Sequence, residues 1–196
     1  MPGLPLINVL LLGYLLGSIP FGWVIAKIAG LGDIRKIGSG NIGATNVLRT
    51  GQKGLALLTM LLDGAKGSVA VLIAAYLYPE LPFLVALAGL AALLGHLFPV
   101  WLKFKGGKGV ATTFGVILAL AWPVGLIGMA IWMLVAFTTR YSSLAALIAI
   151  GLAPGIAFLF GRTEILWLLV VFVCFVAAKH ENNIKRLIKG TEAKIG

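Results

Sequence analysis

The sequence predicts an all-α integral membrane protein, a polytopic helical bundle, and three observations carry that reading. Hydrophobic residues fill 60% of the 196 positions and charged ones only 11%, with a mean hydropathy of +1.06. Apolar runs of roughly twenty residues, the length that crosses a bilayer core, recur along the chain. The charges that remain are mostly confined to the segments between those runs. The formal net charge of +10 therefore belongs to membrane faces, where it orients the chain and meets anionic lipids or substrates, and is not the mark of a soluble nucleic-acid binder. Cys174, the single cysteine, lies inside an apolar run, which leaves neither a disulfide framework nor a cysteine metal site. The N-terminus has no basic n-region and its apolar segment is long enough to span, so it reads as a first crossing and not as a removable signal. Residues 1–196 are expected to form one membrane-embedded domain.

The first span covers 4–29 and is interrupted at Ser18-Ile19-Pro20, because proline removes a helix hydrogen bond. Lys27 near its end can snorkel to the interface. A polar loop over 34–53 carries Arg35, Lys36, Arg49 and Lys53; spans at 55–78 and 83–102 follow, joined by the turn Pro79-Glu80-Leu81-Pro82. The positive-inside rule places the 34–53 and 103–108 loops in the cytoplasm and the N-terminus outside. The tail, with Lys179, Lys185, Arg186, Lys189 and Lys194, is expected in the cytoplasm too, so an even number of crossings separates it from Lys108. Four crossings, at 110–121, 124–139, 143–160 and 165–178, give seven helices; two longer ones give five. The 110–121 segment would reach only about 18 Å, so in the seven-helix reading it starts below the headgroups and sinks Lys108 and Gly109 into a cleft.

Three polar clusters are expected on the cytoplasmic face. Gly38-Ser39-Gly40-Asn41-Ile42-Gly43-Ala44-Thr45-Asn46 with Arg49 opens on a G-x-G-x-x-G match, but it joins two membrane spans and follows no strand, which excludes a dinucleotide fold. Ser39, Gly40, Asn41, Thr45 and Asn46 instead supply hydroxyls, amides and N–H groups, and Arg49 suits bidentate phosphate binding. The second cluster is Lys103-Phe104-Lys105-Gly106-Gly107-Lys108-Gly109. Glycines let backbone N–H groups approach an anion, and Lys103, Lys108 and a helix beginning at Gly109 add positive potential. His96, one helical turn before, is a candidate acid, base or donor. Within the second span Asp63 and Lys66, at i, i+3, can pair on one face, as a packing ion pair or as the floor of a cleft. The third cluster, in the tail, offers His180 and Asn183 on one helix face, with Arg186 a further turn on.

The two histidines and six carboxylates are scattered without metal-ligand spacing, so no metal and no cofactor is expected. No Ser or Thr follows Lys108, which excludes a Walker A loop, and no Gly-x-Ser-x-Gly elbow occurs. A polyanionic, phosphate-bearing substrate at one membrane face fits these clusters better than a transporter site, which sits near the midplane, or a lipid-binding scaffold.

Ser-Gly-Asn-Ile-Gly-Ala-Thr-Asn with Arg49, Gly-His-Leu-Phe-Pro-Val-Trp running into Lys-Phe-Lys-Gly-Gly-Lys-Gly-Val-Ala-Thr, and His-Glu-Asn-Asn-Ile-Lys-Arg-Leu-Ile-Lys-Gly-Thr-Glu together make a long and specific set. With these motifs the chain resembles the PlsY family of bacterial acyl-phosphate:glycerol-3-phosphate acyltransferases over nearly its whole length. The resemblance implies acyl transfer from acyl phosphate to glycerol 3-phosphate, yielding lysophosphatidic acid and phosphate, an early step of phospholipid synthesis. It further implies a multi-pass protein of the bacterial inner membrane, its site facing the cytoplasm, with no obligatory protein partner. An acyl phosphate is already activated, so binding two phosphates and aligning a hydroxyl with a carbonyl is the main task. Arg49 and Lys108, assisted by Ser39, are expected at the glycerol phosphate. The amides of 106–109, Lys108 and His180 or Asn183 are expected at the departing phosphate and carbonyl oxygen. His96, His180 and Asp63 are the candidate bases, a substrate phosphate oxygen being the alternative, and which cluster takes which phosphate stays open.

Overall fold

The computed structural model describes residues 3–37 and 40–195. Regular structure among the described residues is entirely helical: α1 (Leu4–Ser18), α2 (Phe21–Ile28), α3 (Ala44–Leu48), α4 (Lys53–Leu77), α5 (Pro82–Leu97), α6 (Val110–Leu120), α7 (Trp122–Thr139), α8 (Ser142–Leu159), α9 (Leu166–Lys179) and α10 (Glu181–Ile188), with short 3-10 turns at Ile34–Lys36, Val100–Leu102 and Thr163–Ile165. Leu4–Ile28, Lys53–Leu77, Pro82–Leu102, Trp122–Thr139 and Ser142–Leu159 are each long and apolar enough to cross a membrane. Thr163–Lys179 qualifies only together with Glu181–Ile188, from which it is bent by 65°. The segment expected as a crossing at 110–121 is the 11-residue α6, roughly 16 Å long. By its contacts the chain divides into two compact units, one ending at Ala119 and the other beginning at Leu120.

In the first unit the expected interruption of the first span is present: α1 stops at Ser18 and α2 starts at Phe21, directly after Pro20. Helix α1 runs parallel to α5, with Gly13 and Gly17 seated on Ala88, Ala91 and Ala92 and Gly95 seated on the Tyr14–Ser18 backbone. A Cβ at Gly95 would lie 2.7 Å from the Ser18 nitrogen, so these helices approach as only small residues allow. Helices α4 and α5 form an antiparallel hairpin through the turn closed by Leu81 N–H on the Tyr78 carbonyl (3.0 Å). Helix α6 runs alongside α4 in the same direction: the Thr112 hydroxyl donates to the Asp63 carbonyl (2.9 Å) and Ser68 donates to Gly115 (2.8 Å). Its first turn therefore lies level with Asp63, ten residues into α4, or about 15 Å along its axis. The short α6 thus starts set back along α4 from the level where α4 itself begins. The end of α2, the start of α4, the end of α5 and the start of α6 all belong to one end of this unit, which brings the 30–52 and 98–109 loops to the same side.

In the second unit α8 packs between α7 and α9. Arg140, at φ 63, turns the chain from α7 into α8, and the tail returns to that corner: Ile195 N–H donates to the Arg140 carbonyl (2.7 Å) and the Arg140 guanidinium to the Ile195 carbonyl (3.1 Å). At the far end of α8, Arg162 donates to Glu164 (2.6 Å) and to the Leu120 carbonyl (2.7 Å).

Candidate active site

The 40–49 loop is built on a small core of Ala26, Ile34, Ile42, Val47, Ala56 and Leu102. The buried Asn46 staples it, its amide donating to the Ile34 carbonyl at 2.7 Å. Asp33 caps the 3-10 turn below and takes two bonds from the Arg35 guanidinium (2.8 and 2.6 Å); that side-chain hydrogen bonding holds the Asp33 carboxyl down at about 2. Arg35 and Lys27 both stack near the Trp23 ring, at 6.0 and 5.0 Å. The sequence reading treated 34–53 as loop, but a single turn of helix, α3, forms within it. It carries Thr45 half-buried, leaves Arg49 exposed at its end and turns the Asn46 side chain inward. Gly40, at φ 68, is exposed and Asn41 half-buried. Gly38 and Ser39, and with them the expectation for Ser39, lie outside the described residues.

Asp63, Lys66 and His96 meet below this loop, all buried. The expected i, i+3 pair is present, with Lys66 Nζ 2.9 Å from Asp63 Oδ1. His96, in the last turn of α5, places Nδ1 3.7 Å from the same oxygen. The lysine–glycine turn wraps over it: a Cβ on Gly107 would stand 2.8 Å from His96 Cε1, so glycine is the residue that lets the backbone lie on the imidazole. Lys103 and Phe104 enter the turn in left-handed conformations, φ 52 and 62, and Gly109 leaves it at φ 85. Lys103 is exposed and Lys108 half-buried.

One expected role changes. The amides of Gly106 and Gly107 were expected to face an anion; they donate instead to the Leu97 and His96 carbonyls, at 3.2 and 3.1 Å. The last carbonyls of a helix lack intrahelical partners, and the returning turn supplies them. Lys66, expected to pair with Asp63 in packing or at the floor of a cleft, has its ammonium held by Asp63 and by the Ile19 carbonyl, 2.8 Å away.

His180 and Asn183 belong to the second unit, where both are buried. His180 Nδ1 lies 2.8 Å from the Val176 carbonyl. A carbonyl only accepts, so Nδ1 carries the proton, and in the neutral ring the lone pair falls on Nε2. Asn183 and Arg186 both donate to Glu192, which also accepts from Ser143 (2.7 Å). The sequence reading passed over Glu192 and Ser143, and likewise Tyr14, whose hydroxyl donates to Phe98 (2.9 Å), and Trp101, whose Nε1–H donates to Ser18 (2.9 Å). The signal available for Glu192 was its place at the end of the tail motif. Among the described residues no cluster of three or more His, Cys, Asp or Glu forms a metal-holding group.

The first unit can neutralise phosphate through exposed and half-buried cations at one end; the second, taken by itself, holds a histidine whose Nδ1–H is fixed on the Val176 carbonyl. Comparison with known proteins matches this chain over residues 7–190 to a family described as glycerol-3-phosphate acyltransferase. A glycerol-3-phosphate acyltransferase of Mesorhizobium japonicum is 59% identical over 97% of this chain and 96% of its own length. One of Caulobacter vibrioides is 57% identical over 94% and 85%. Among solved structures, the glycerol 3-phosphate form of PlsY (YgiH), an integral membrane glycerol 3-phosphate acyltransferase, is similar with a TM-score of 0.92 at 40% identity, covering 97% of this chain and 96% of that one. Its lysophosphatidic acid form matches at a TM-score of 0.88 and 37% identity, over 97% and 95%.

Proposed function

The chain belongs to the glycerol-3-phosphate acyltransferase family, and from that premise we propose that it transfers a fatty acyl group from acyl phosphate to the hydroxyl of glycerol 3-phosphate, releasing lysophosphatidic acid and phosphate. The observation that carries the reading is its likeness to a relative solved in both a glycerol 3-phosphate and a lysophosphatidic acid form. The sunken turn at Lys108, on the same side as Arg49, supports it.

In this reading Arg49, Thr45, Asn41 and Gly40, with Ser39, form one phosphate-binding group, and Lys103, Lys108 and Gly109 another. Cations at both reduce the repulsion between two phosphate-bearing substrates and align hydroxyl and carbonyl. His180 and Asn183 are the groups proposed for the reacting carbonyl and departing phosphate. Of the three candidate bases Asp63 is buried and paired with Lys66, so the hydroxyl proton passes to His180, to His96 or to a substrate phosphate oxygen. Single variants H180Q and H96Q separate these routes: loss of kcat with its pH dependence in one variant assigns the base to that histidine, and retention in both assigns it to substrate.

The two units are proposed to act as one domain spanning 1–196, since the family match runs through both. Seven membrane helices, α6 and α9 included, a cytoplasmic tail, an outside N-terminus and a cytoplasmic-facing site in the bacterial inner membrane complete the proposal. Its support is the positive charge of the 34–53 and 103–108 loops and the tail.

The test is turnover by purified protein in detergent with palmitoyl phosphate and glycerol 3-phosphate. Phosphate release that requires glycerol 3-phosphate, with lysophosphatidic acid formed in equal amount, is expected. No glycerol 3-phosphate-dependent release from folded protein would remove the reading, and turnover with palmitoyl-CoA instead would remove the donor assignment.

A further inference from the structure

Lys66 sits at a junction that the reaction proposed above does not use. Its ammonium bridges Asp63 (2.9 Å) and the Ile19 carbonyl (2.8 Å), with the Phe21 ring 5.8 Å away. Ile19 is the centre of the break between α1 and α2, where Pro20 cannot donate to the preceding turn. The break is gripped from its other flanks as well. Ser18 Oγ receives Trp101 Nε1–H, from the turn that leads into the lysine–glycine stretch, and Gly22 lies against the Ile42 carbonyl of the 40–49 loop, so closely that a Cβ there would overlap it. The oxygen of Asp63 that meets Lys66 also faces His96 (3.7 Å), which carries Gly107. Two contact paths therefore leave one buried ion pair. One runs Lys66–Ile19–Gly22–Ile42 to the Arg49 loop, the other Asp63–His96–Gly107 to the Lys108 turn.

We propose that the Asp63–Lys66 pair, seated on the Ile19 carbonyl, is a positioning device that holds the Arg49 loop and the Lys108 turn in register for glycerol 3-phosphate. Neither side chain touches substrate: both are buried, and the ammonium is already engaged by protein oxygens. The pair joins three separate helical segments, α4, the α1–α2 break and α5. A charge pair buried among helices is costly unless each end is met by a partner, and here each end is met by the structure that supports a loop.

The proposal rests on the acyltransferase reading, so it is tested where wild-type protein turns over; inactive wild type would remove that reading and leave the pair unaddressed by kinetics. Lys66→Met alone strands a buried carboxylate, so Asp63→Asn/Lys66→Met, which removes both charges, is the informative variant, with Lys66→Arg as the conservative one. The double variant is expected to melt close to wild type in detergent and to raise KM for glycerol 3-phosphate by about tenfold or more, the scale of loss that small misplacement of bound groups produces. Its kcat is expected to move less, and Lys66→Arg is expected to recover most of the loss. An unchanged KM in a folded double variant overturns the inference. So does a loss carried by kcat with KM unmoved, which would make one of the pair a reacting group. If the double variant does not fold, the isosteric Asp63→Asn decides: a raised KM for glycerol 3-phosphate with kcat little moved and wild-type melting supports the device, and an unchanged KM overturns it.

Discussion

Arg186 Nε donates to Glu192 Oε2 at 2.6 Å, while the other oxygen of the same carboxylate accepts from Ser143 and Asn183. One residue of the tail thus ties α10 to the start of α8. Burial alone would push the Glu192 carboxyl up, but the bonds from Asn183, Ser143 and Arg186 outweigh it and hold the group below the usual glutamate range. A carboxylate lowered in this way stabilises the fold above its unfolded value, and that contribution disappears as pH falls through the folded value. Glu192→Gln is therefore expected to cost about 1–3 kcal/mol at neutral pH, with the gap to wild type closing in the acid range below the usual glutamate value. Thermal melts in detergent at neutral and acid pH read both effects.

Asn46 was expected among the substrate-binding residues, and its amide is bound to the Ile34 carbonyl. Asn46→Ala leaves that buried carbonyl short of a donor and is expected to destabilise by about 1–3 kcal/mol. Activity should fall with the folded fraction, while KM for glycerol 3-phosphate measured on the folded remainder stays near wild type.

Gly95→Val is expected to force α1 and α5 apart, since even the first added carbon meets the Ser18 nitrogen at 2.7 Å. Overpacking of this kind costs about 1–3 kcal/mol or more. Gly151→Val, on an open face of α8, is the control that should melt like wild type.

Arg49→Lys keeps the charge but loses the planar fork. In the proposed site it is expected to raise KM for glycerol 3-phosphate by roughly tenfold, the cost of a weakened charged hydrogen bond. Melting temperature should be unmoved, because Arg49 is exposed.

Arg140 and Arg162 stand at opposite ends of α8. Cysteines placed there, in a background lacking Cys174, should label from opposite sides of a sealed membrane, with position 140 on the side of the tail. Same-side labelling would remove the seven-helix topology.

Much of this architecture was legible because bilayer chemistry restricts the choices. The apolar runs became helices, Pro20 broke the first one, and Asp63 found Lys66 one turn away, since an isolated charge in that setting is costly. The shortness of 110–121 also forecast a helix starting deep. What was hidden depends on chain ends meeting at a distance. Nothing local told that Gly106 and Gly107 would cap the end of α5, because that need arises only once the turn folds back on it. Nor did spacing reveal that Lys66 would find the Ile19 carbonyl across 47 residues. Helix α3 was hidden by its length, a single turn among glycines and polar residues that read as loop. Glu192 stood at the end of the tail motif, but its role was hidden, because a carboxylate in a basic tail looks like solvated surface until Ser143 and Asn183 close on it.

The seam where Gly13, Gly17 and Gly95 let α1 and α5 touch has a corollary for traffic within the bilayer. A place with no room for one methyl group admits no hydrocarbon tail. Whatever greasy molecule the enzyme accommodates must slide in along another flank, and reagents that probe lateral entry should leave this pair of helices untouched.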